Sequence, residues 1–371
     1  ISFLKNDHIT IMADANFEKK YLYRLVNIYK PRYIFSQRNF FNQKHLKEIY
    51  NLREFSLFEN YKHTKAKINK LNYLLLSTSG STGNPKFVRI SKDNILDNTK
   101  KIIDYLNIKS NHTTITTMPM AYSYGLSIIN THLKQGAKII VNNHTIFDRI
   151  FWNKINTFNV NSFGGVPEFY KYLERLKFEK FKIKSLKYLT QAGGKLQKSQ
   201  FAYMSKVCKL KKIKFYSMYG QTEASPRMSY LNPNKVWIKK GSIGKPLKHT
   251  SFLLYDENNK KINRSFQKGE LVFKGKNVSL GYAKNIKDLT NGDVNNKILH
   301  TGDIAYKDRQ NYYYIVGRKN KFIKLYGIRF NLEDIDKSLK KNGINAKCIS
   351  KNDKLFVIPS DKSNQMKIKK I

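Results

Sequence analysis

Cysteine is nearly absent: Cys208 and Cys348 are the only two in 371 residues. They stand far apart, without His, Cys or acidic partners at metal-ligand spacing, so a disulfide framework and a structural zinc site are excluded and reduced thiols are expected. No run of about eighteen apolar residues occurs and no signal-peptide pattern is present, which argues against a membrane span or secretion and for the cytoplasm. There is no internal repeat and no low-complexity linker. Acidic residues are scarce: 26 Asp and Glu face 70 Lys and Arg, a formal net charge of +44. Such a charge ordinarily points to nucleic acid. Here, however, the excess is spread along the chain and is overwhelmingly lysine, whereas phosphate and base readers favour arginine. Lysine also travels with abundant Asn, Ile, Tyr and Phe, the bias of AT-rich codons. The charge attracts anions in general without naming one, and nucleic acid is not the expected partner.

Hydrophobic residues at 40% and aromatics at 13% suit a globular chain long enough for two or more domains. Leu22, Leu25, Val26 and Tyr29 fall at helical spacing, with a strand-like Tyr33-Ile34-Phe35 after them, while segment 40–70 is polar and ambiguous. Ser91 is placed to cap a helix whose apolar face is Ile95, Ile102, Ile103 and Leu106. Lys138 to Val141, Tyr188 to Thr190 and Lys214 to Met218 read as strands, and Val166 to Leu176 as a helix. Repeated strand, glycine turn and helix units predict an α/β sheet with ligand-binding loops at the strand ends. From about Lys240 the texture changes to short strands and turns (Gly269 to Phe273, Gly275 to Tyr282, Tyr312 to Val316), predicting a β-rich subdomain.

The most informative segment runs from an apolar strand (Tyr73 to Leu76) into Ser77-Thr78-Ser79-Gly80-Ser81-Thr82-Gly83-Asn84-Pro85-Lys86. Glycines let backbone N–H groups approach an anion, the hydroxyls add donors, and Lys86 adds a full charge. It is not a Walker loop, because the lysine follows a proline and leads into the alternating Phe87-Val88-Arg89-Ile90. Further on, Tyr219-Gly220-Gln221-Thr222-Glu223 joins an aromatic for a base, a hydroxyl for a phosphate and a carboxylate for a hard cation. Gln191-Ala192-Gly193-Gly194 offers bare backbone to a flat ring. Thr301-Gly302-Asp303 sets a carboxylate where it can accept from ribose hydroxyls. Gly317-Arg318-Lys319-Asn320 opens a basic segment ending in Tyr326-Gly327-Ile328-Arg329. Singly, each of these is an ordinary turn or surface element.

In order and spacing the set resembles the adenylate-forming superfamily of acyl-CoA synthetases, luciferases and adenylation domains, over essentially the whole chain. The resemblance rests on segments 77–91, 119–136, 191–194, 219–223, 269–285, 301–303 and 317–329. It implies an α/β fold: a large N-terminal domain (1–318) of β-sheets sandwiched with helices, a β-barrel-like subdomain (about 240–316), and a small, incomplete α+β C-terminal domain (319–371). It implies activation of a carboxylic acid by ATP to an acyl-adenylate, then transfer to the thiol of CoA or of phosphopantetheine on an acyl-carrier protein. Thr78, Ser79, Gly80, Ser81, Thr82, Gly83 and Lys86 would hold the β and γ phosphates. Gly193, Gly194 and Tyr219 would frame adenine, Thr222 would contact the α-phosphate and Glu223 would bind Mg²⁺. Asp303 and Arg318 would fix the ribose, Asn320 would be the hinge, and Arg329 would lie near phosphate. Lys86, Thr222 and Glu223 are thereby the implied catalytic groups. Such chemistry needs positioning and charge neutralisation more than an acid–base pair.

The sequence departs from the family in three places. Family members carry a lysine in a Pro-x-x-x-Ser-Gly-Lys context in the C-terminal domain; Lys367, Lys369 and Lys370 form only a basic tail. With a short N-terminal region as well, the chain is expected to be truncated at both ends, to bind ATP and to adenylate weakly. Asn320 stands where an Asp is usual, and Phe87 where a glycine commonly follows the loop lysine. In the segment Pro119 to Leu126, Ser123 occupies the place where amino-acid-activating members have an aspartate, which disfavours an α-amino acid. Tyr122, Ser123, Tyr124, Phe163 and Val166, with Phe169, are the candidate lining of a pocket for a small to medium acid. The alternatives are a carrier-loading adenylation domain and a catalytically impaired ATP-binding protein.

Overall fold

The computed structural model describes residues 8–14, 17–38, 40–41, 44–64, 66–77, 86–319, 322–325, 328–351, 354–361 and 363–365. Its centre is a seven-stranded sheet in the order Lys245–Pro246, Arg227–Leu231, Lys214–Gly220, Tyr188–Gln191, Ser162–Gly165, Thr113–Ile115, Lys138–Ile140. The last five run parallel, Arg227–Leu231 runs against them, and Lys245–Pro246 pairs antiparallel with Arg227–Leu231. Side chains alternate across each strand, so both faces need cover. Leu189 and Phe215 join one core with helices Arg149–Thr157, Pro167–Arg175 and Lys198–Leu210. Their neighbours Tyr188 and Tyr216 join another with helices Lys92–Leu106 and Ser123–Lys134. Ser91 caps the first of these by a reciprocal capping box with Asn94.

A second sheet carries the stems of the glycine-rich loop. Leu74–Ser77 pairs antiparallel with Phe87–Ile90, and the register Ser77↔Phe87 closes the stems directly at the loop. Thr10–Met12 flanks one side in parallel, and Gly281–Ala283 flanks the other antiparallel. This last pairing corrects the expectation for Gly275 to Tyr282. Only Gly281–Ala283 is a strand, and it leaves the β-rich stretch to complete the loop-bearing sheet.

The join is sealed by Arg89, 0% exposed, which donates to four carbonyls: Leu280 (2.7 Å), Tyr282 (3.2 Å), Asn291 (2.6 Å) and Gly292 (3.0 Å). The ambiguous segment 40–70 proves to be a hairpin, Leu46–Leu52 with Phe55–Asn60, which joins Tyr33–Gln37 in a three-stranded antiparallel sheet.

The β-rich stretch is a four-stranded antiparallel sheet, Ser251–Tyr255, Gly269–Lys274, Ile298–Lys307 and Tyr313–Arg318. Its core holds Phe252, Leu254, Leu271, Phe273 and Tyr313, together with Ala224 and Met228 from the site hairpin. After it come a hairpin (Phe322–Leu325 with Ile328–Asn331), the helix Leu332–Lys341 and a second hairpin (Ala346–Lys351 with Lys354–Pro359), an α+β unit. Both thiols are buried, and burial pushes Cys208 and Cys348 up to about 12, which leaves neither as a nucleophile. No helix among the described residues is long and apolar enough to cross a membrane.

Candidate active site

The carboxyl ends of the parallel strands and the loop-bearing sheet bring the site residues together. Strand Lys214–Gly220 turns sharply at Gly220, where a Cβ would lie 1.9 Å from the Pro226 carbonyl oxygen, so only glycine fits. The turn delivers Thr222 and Glu223. Thr222 Oγ1 lies 3.0 Å from the Ser123 hydroxyl at the start of helix Ser123–Lys134. The Glu223 carbonyl accepts from Ser279 N–H at 2.8 Å, and its carboxylate accepts from the Tyr282 hydroxyl at 2.7 Å. Lys86, leaving the loop, sets its ammonium 3.4 Å from the centroid of the same Tyr282 ring. A cation, an aromatic and a carboxylate from three distant segments thus stand in series beside the loop stems.

A second cluster is built on Asp303. Antiparallel pairing sets Asp303 directly opposite Arg318, and Arg318 Nε reaches its Oδ1 at 2.9 Å. The Tyr219 hydroxyl (2.5 Å) and Gln221 Nε2 (3.0 Å) donate to Oδ2. Gln221 also donates to the Thr301 carbonyl at 3.1 Å, as does Arg318 Nη1 at 3.1 Å. Burial pushes the Asp303 carboxyl above its ordinary value, although Tyr219, Arg318 and Gln221 all favour its anion. Burial, then the Asp303 charge, pushes the Tyr219 phenol well up, so it stays a donor.

Gly193 and Gly194 form an exposed turn after strand Tyr188–Gln191, Gly193 at φ +80°. The Tyr122 hydroxyl stands 2.5 Å and Val166 Cγ1 3.0 Å from where a Gly193 Cβ would be, so both pack on this turn. Ser123 is buried and engaged by Thr222. Tyr124 is also buried, its hydroxyl donating to the Thr190 carbonyl at 2.7 Å.

Phe163 belongs chiefly to the core and borders only the small cavity beside Gly164 and Thr190. It is 1% exposed, and its ring packs against Phe151, Phe169 and Phe178 in the helix-side core. Strand parity turns Gly164, not Phe163, toward Tyr124. Thr78, Ser79, Gly80, Ser81, Thr82, Gly83 and Asn320 lie outside the described residues. Arg329 is described only as backbone, paired with Lys324.

Three further residues prove central: Tyr282, which lay within segment 269–285, and Gln221 and Arg89, which had not stood out in the sequence. Tyr282 and Arg89 act through pairings nearly two hundred residues apart in the chain. Gln221 was the unassigned position of its own motif, where a side-chain amide beside a tyrosine was an available signal.

The donors fit a magnesium nucleotide. No group of three or more His, Cys, Asp or Glu side chains among the described residues could hold a metal ion alone. One carboxylate, Glu223, beside a lysine matches the way Mg²⁺ is usually bound, through one or two carboxylates and substrate phosphates. Asp303 is the acceptor a ribose diol requires.

Residues 15–283 match the AMP-binding enzyme family. A 2-succinylbenzoate–CoA ligase of Bacillus cereus is 30% identical over 251 residues, 67% of this chain and 50% of that protein. The corresponding ligase of a second Bacillus cereus strain is 31% identical over the same shares. The chain spans about half the length of the curated relatives it matches. Among solved structures, O-succinylbenzoate coenzyme A synthetase from Bacillus subtilis with ATP and magnesium is similar at TM-score 0.65 and 20% identity, over 82% of this chain and 64% of that one. The N-terminal domain of FACL13 from Mycobacterium tuberculosis is similar at TM-score 0.58 and 21% identity, over 69% and 63%. The fold likeness and the sequence match agree, and the chain belongs to the AMP-binding enzyme family.

Proposed function

We propose that this chain carries the nucleotide site of an acid–thiol ligase, which joins a carboxylic acid to AMP and passes the acyl group to CoA. The observation that carries it is the series Lys86–Tyr282–Glu223 beside the loop stems, joined through Thr222 to Ser123. Lys86 neutralises phosphate charge, Glu223 holds Mg²⁺, and Thr222 donates to the α-phosphate under attack. Asp303, with Tyr219, Gln221 and Arg318 around it, orients the ribose. Tyr122 and Val166 bound the adenine turn on the side where the acid enters. The attack forms a carboxylate oxygen–phosphorus bond and breaks the bond to pyrophosphate. Residues therefore serve by alignment and charge, not by proton transfer. The relatives' name makes 2-succinylbenzoate the first acid to offer, and CoA the first acceptor.

The test is ATP binding by calorimetry, followed by acid-dependent ATP–pyrophosphate exchange over a panel of carboxylic acids. Magnesium-dependent ATP binding and exchange with one class of acid are expected. Absence of ATP binding by the folded chain would overturn the proposal.

A further inference from the structure

Against the inner face of helix Ser123–Lys134 lies a small cavity of about 10 Å³, room for one water, lined in part by Ser127, His132, Gly164, Thr190 and Arg227. Arg227 is 2% exposed. Its Nη1 meets the Met218 sulfur at 3.0 Å, its Nη2 donates to the Ser127 hydroxyl at 3.1 Å, and the Tyr124 ring centroid is 4.0 Å from its Cζ. Its Nε has no hydrogen-bond partner, and among the described residues no ion pair includes it.

Arg89 provides the contrast. It is equally buried, but four carbonyls receive its protons, and Asp288 and Asp293 lie near enough to favour its charge. For Arg227 a ring, a thioether and a hydroxyl solvate the guanidinium without neutralising it, and a water in the cavity would do no more.

The cavity lies between helices Lys92–Leu106 and Ser123–Lys134 and the central sheet, and it adjoins the candidate site. Arg227 pairs across the hairpin with Gly220, so Thr222 and Glu223 lie in the turn between them. Tyr124, on the guanidinium, follows Ser123, on Thr222. Gly164 keeps the space open, since a Cβ there would stand 2.7 Å from the Tyr124 hydroxyl and 2.9 Å from Thr190 Oγ1.

We propose that Arg227 is the specificity-determining residue of the acid pocket, and that the acid activated here carries a second carboxylate, gripped by the Nε–Nη2 edge of Arg227. This rests on the acid-activating function proposed above. The cavity is smaller than a carboxylate, so seating one shifts the Tyr124 ring and breaks its hydrogen bond to Thr190. Ser127 then yields Nη2 to the second carboxylate and keeps its own donation to the Tyr124 carbonyl, a 2.7 Å contact within the helix.

The experiment is calorimetry on the full chain with ATP, with 2-succinylbenzoate, and with benzoylpropionate, the same acid without its ring carboxylate. The dicarboxylate is expected to bind roughly tenfold or more tightly than the monocarboxylate, as one charge-assisted bidentate pair allows. The preference is expected to survive high salt, which screens the surface lysines but not a buried pair. Arg227→Gln is expected to abolish the preference and Arg227→Lys to keep part of it, with circular dichroism reporting folding. Should the glutamine variant fail to fold, the wild-type contrast at high salt decides alone. Equal binding of the two acids, or a preference lost in salt, overturns the inference while normal ATP binding leaves the ligase proposal standing. Failure of both ATP and acids to bind overturns both.

Discussion

Lys86 rests on the face of Tyr282, and the hydroxyl of that ring holds Glu223. The two halves of the contact separate cleanly in a single substitution. Tyr282→Phe keeps the ring beneath the lysine and removes only the donor to the carboxylate. Magnesium-dependent ATP affinity should fall roughly fivefold, the worth of one hydrogen bond of about 1 kcal/mol, while affinity for metal-free ATP stays nearly constant. Titrations with and without magnesium measure both.

Asp303 behaves differently because its folded-state carboxyl is raised, chiefly by burial. A group raised in the fold favours the folded state while protonated, and that contribution is lost as pH rises through its folded value. Near neutrality the anion is therefore a cost to folding. Asp303→Asn should leave the melting temperature at neutral pH unchanged or higher. It should also abolish discrimination between ATP and its 2′-deoxy analogue, which binding measurements on the pair would show.

The elements were the easiest part to read from sequence, and their partners the hardest. Helix Lys92–Leu106 announces itself through Ser91 and its apolar spacing, and strand Tyr188–Gln191 through its closing glycines. Glu223, Asp303 and Arg318 were legible because each sits at a fixed offset from a glycine, Glu223 in a turn and the other two within strands. The side to which the Phe163 ring turns was not legible, because aromatic character says nothing of which side of a strand it occupies. Arg227 was invisible, since one arginine in so basic a chain carries no local signal. Gly281–Ala283 looked like one more short strand of the β-rich stretch, and no pattern within it names Phe87–Ile90 as its neighbour. Arg89 carries that pairing. Arg89→Met should cost ~3–5 kcal/mol by stranding buried carbonyls, seen as a lowered urea midpoint.

Over the whole molecule, acid sensitivity has an identifiable source in His132. It is 2% exposed, and its Nδ1 lies 2.8 Å from the Ile128 carbonyl, which fixes the proton on that nitrogen. Burial, with a smaller contribution from His112 and against the Ile128 contact, lowers it to about 4. The neutral ring stabilises the fold fully above the ordinary histidine value. That contribution disappears as pH falls from about 6.5 toward 4, roughly 3 kcal/mol in all. Denaturant melts at pH values across this window should show the loss, and His132→Gln should flatten it.

The pairing of Phe87–Ile90 with Gly281–Ala283 also imposes a timetable. Arg89 finds the Leu280 carbonyl 191 residues later in the chain. At typical elongation rates the ribosome needs roughly 10–40 s to cover that distance. For that interval the strand beside Lys86 waits with one open edge and an arginine lacking its acceptors. The loop-bearing sheet thus closes only after every strand of the seven-stranded sheet has been made, and the interval is when its edge is most open to a chaperone or to another chain.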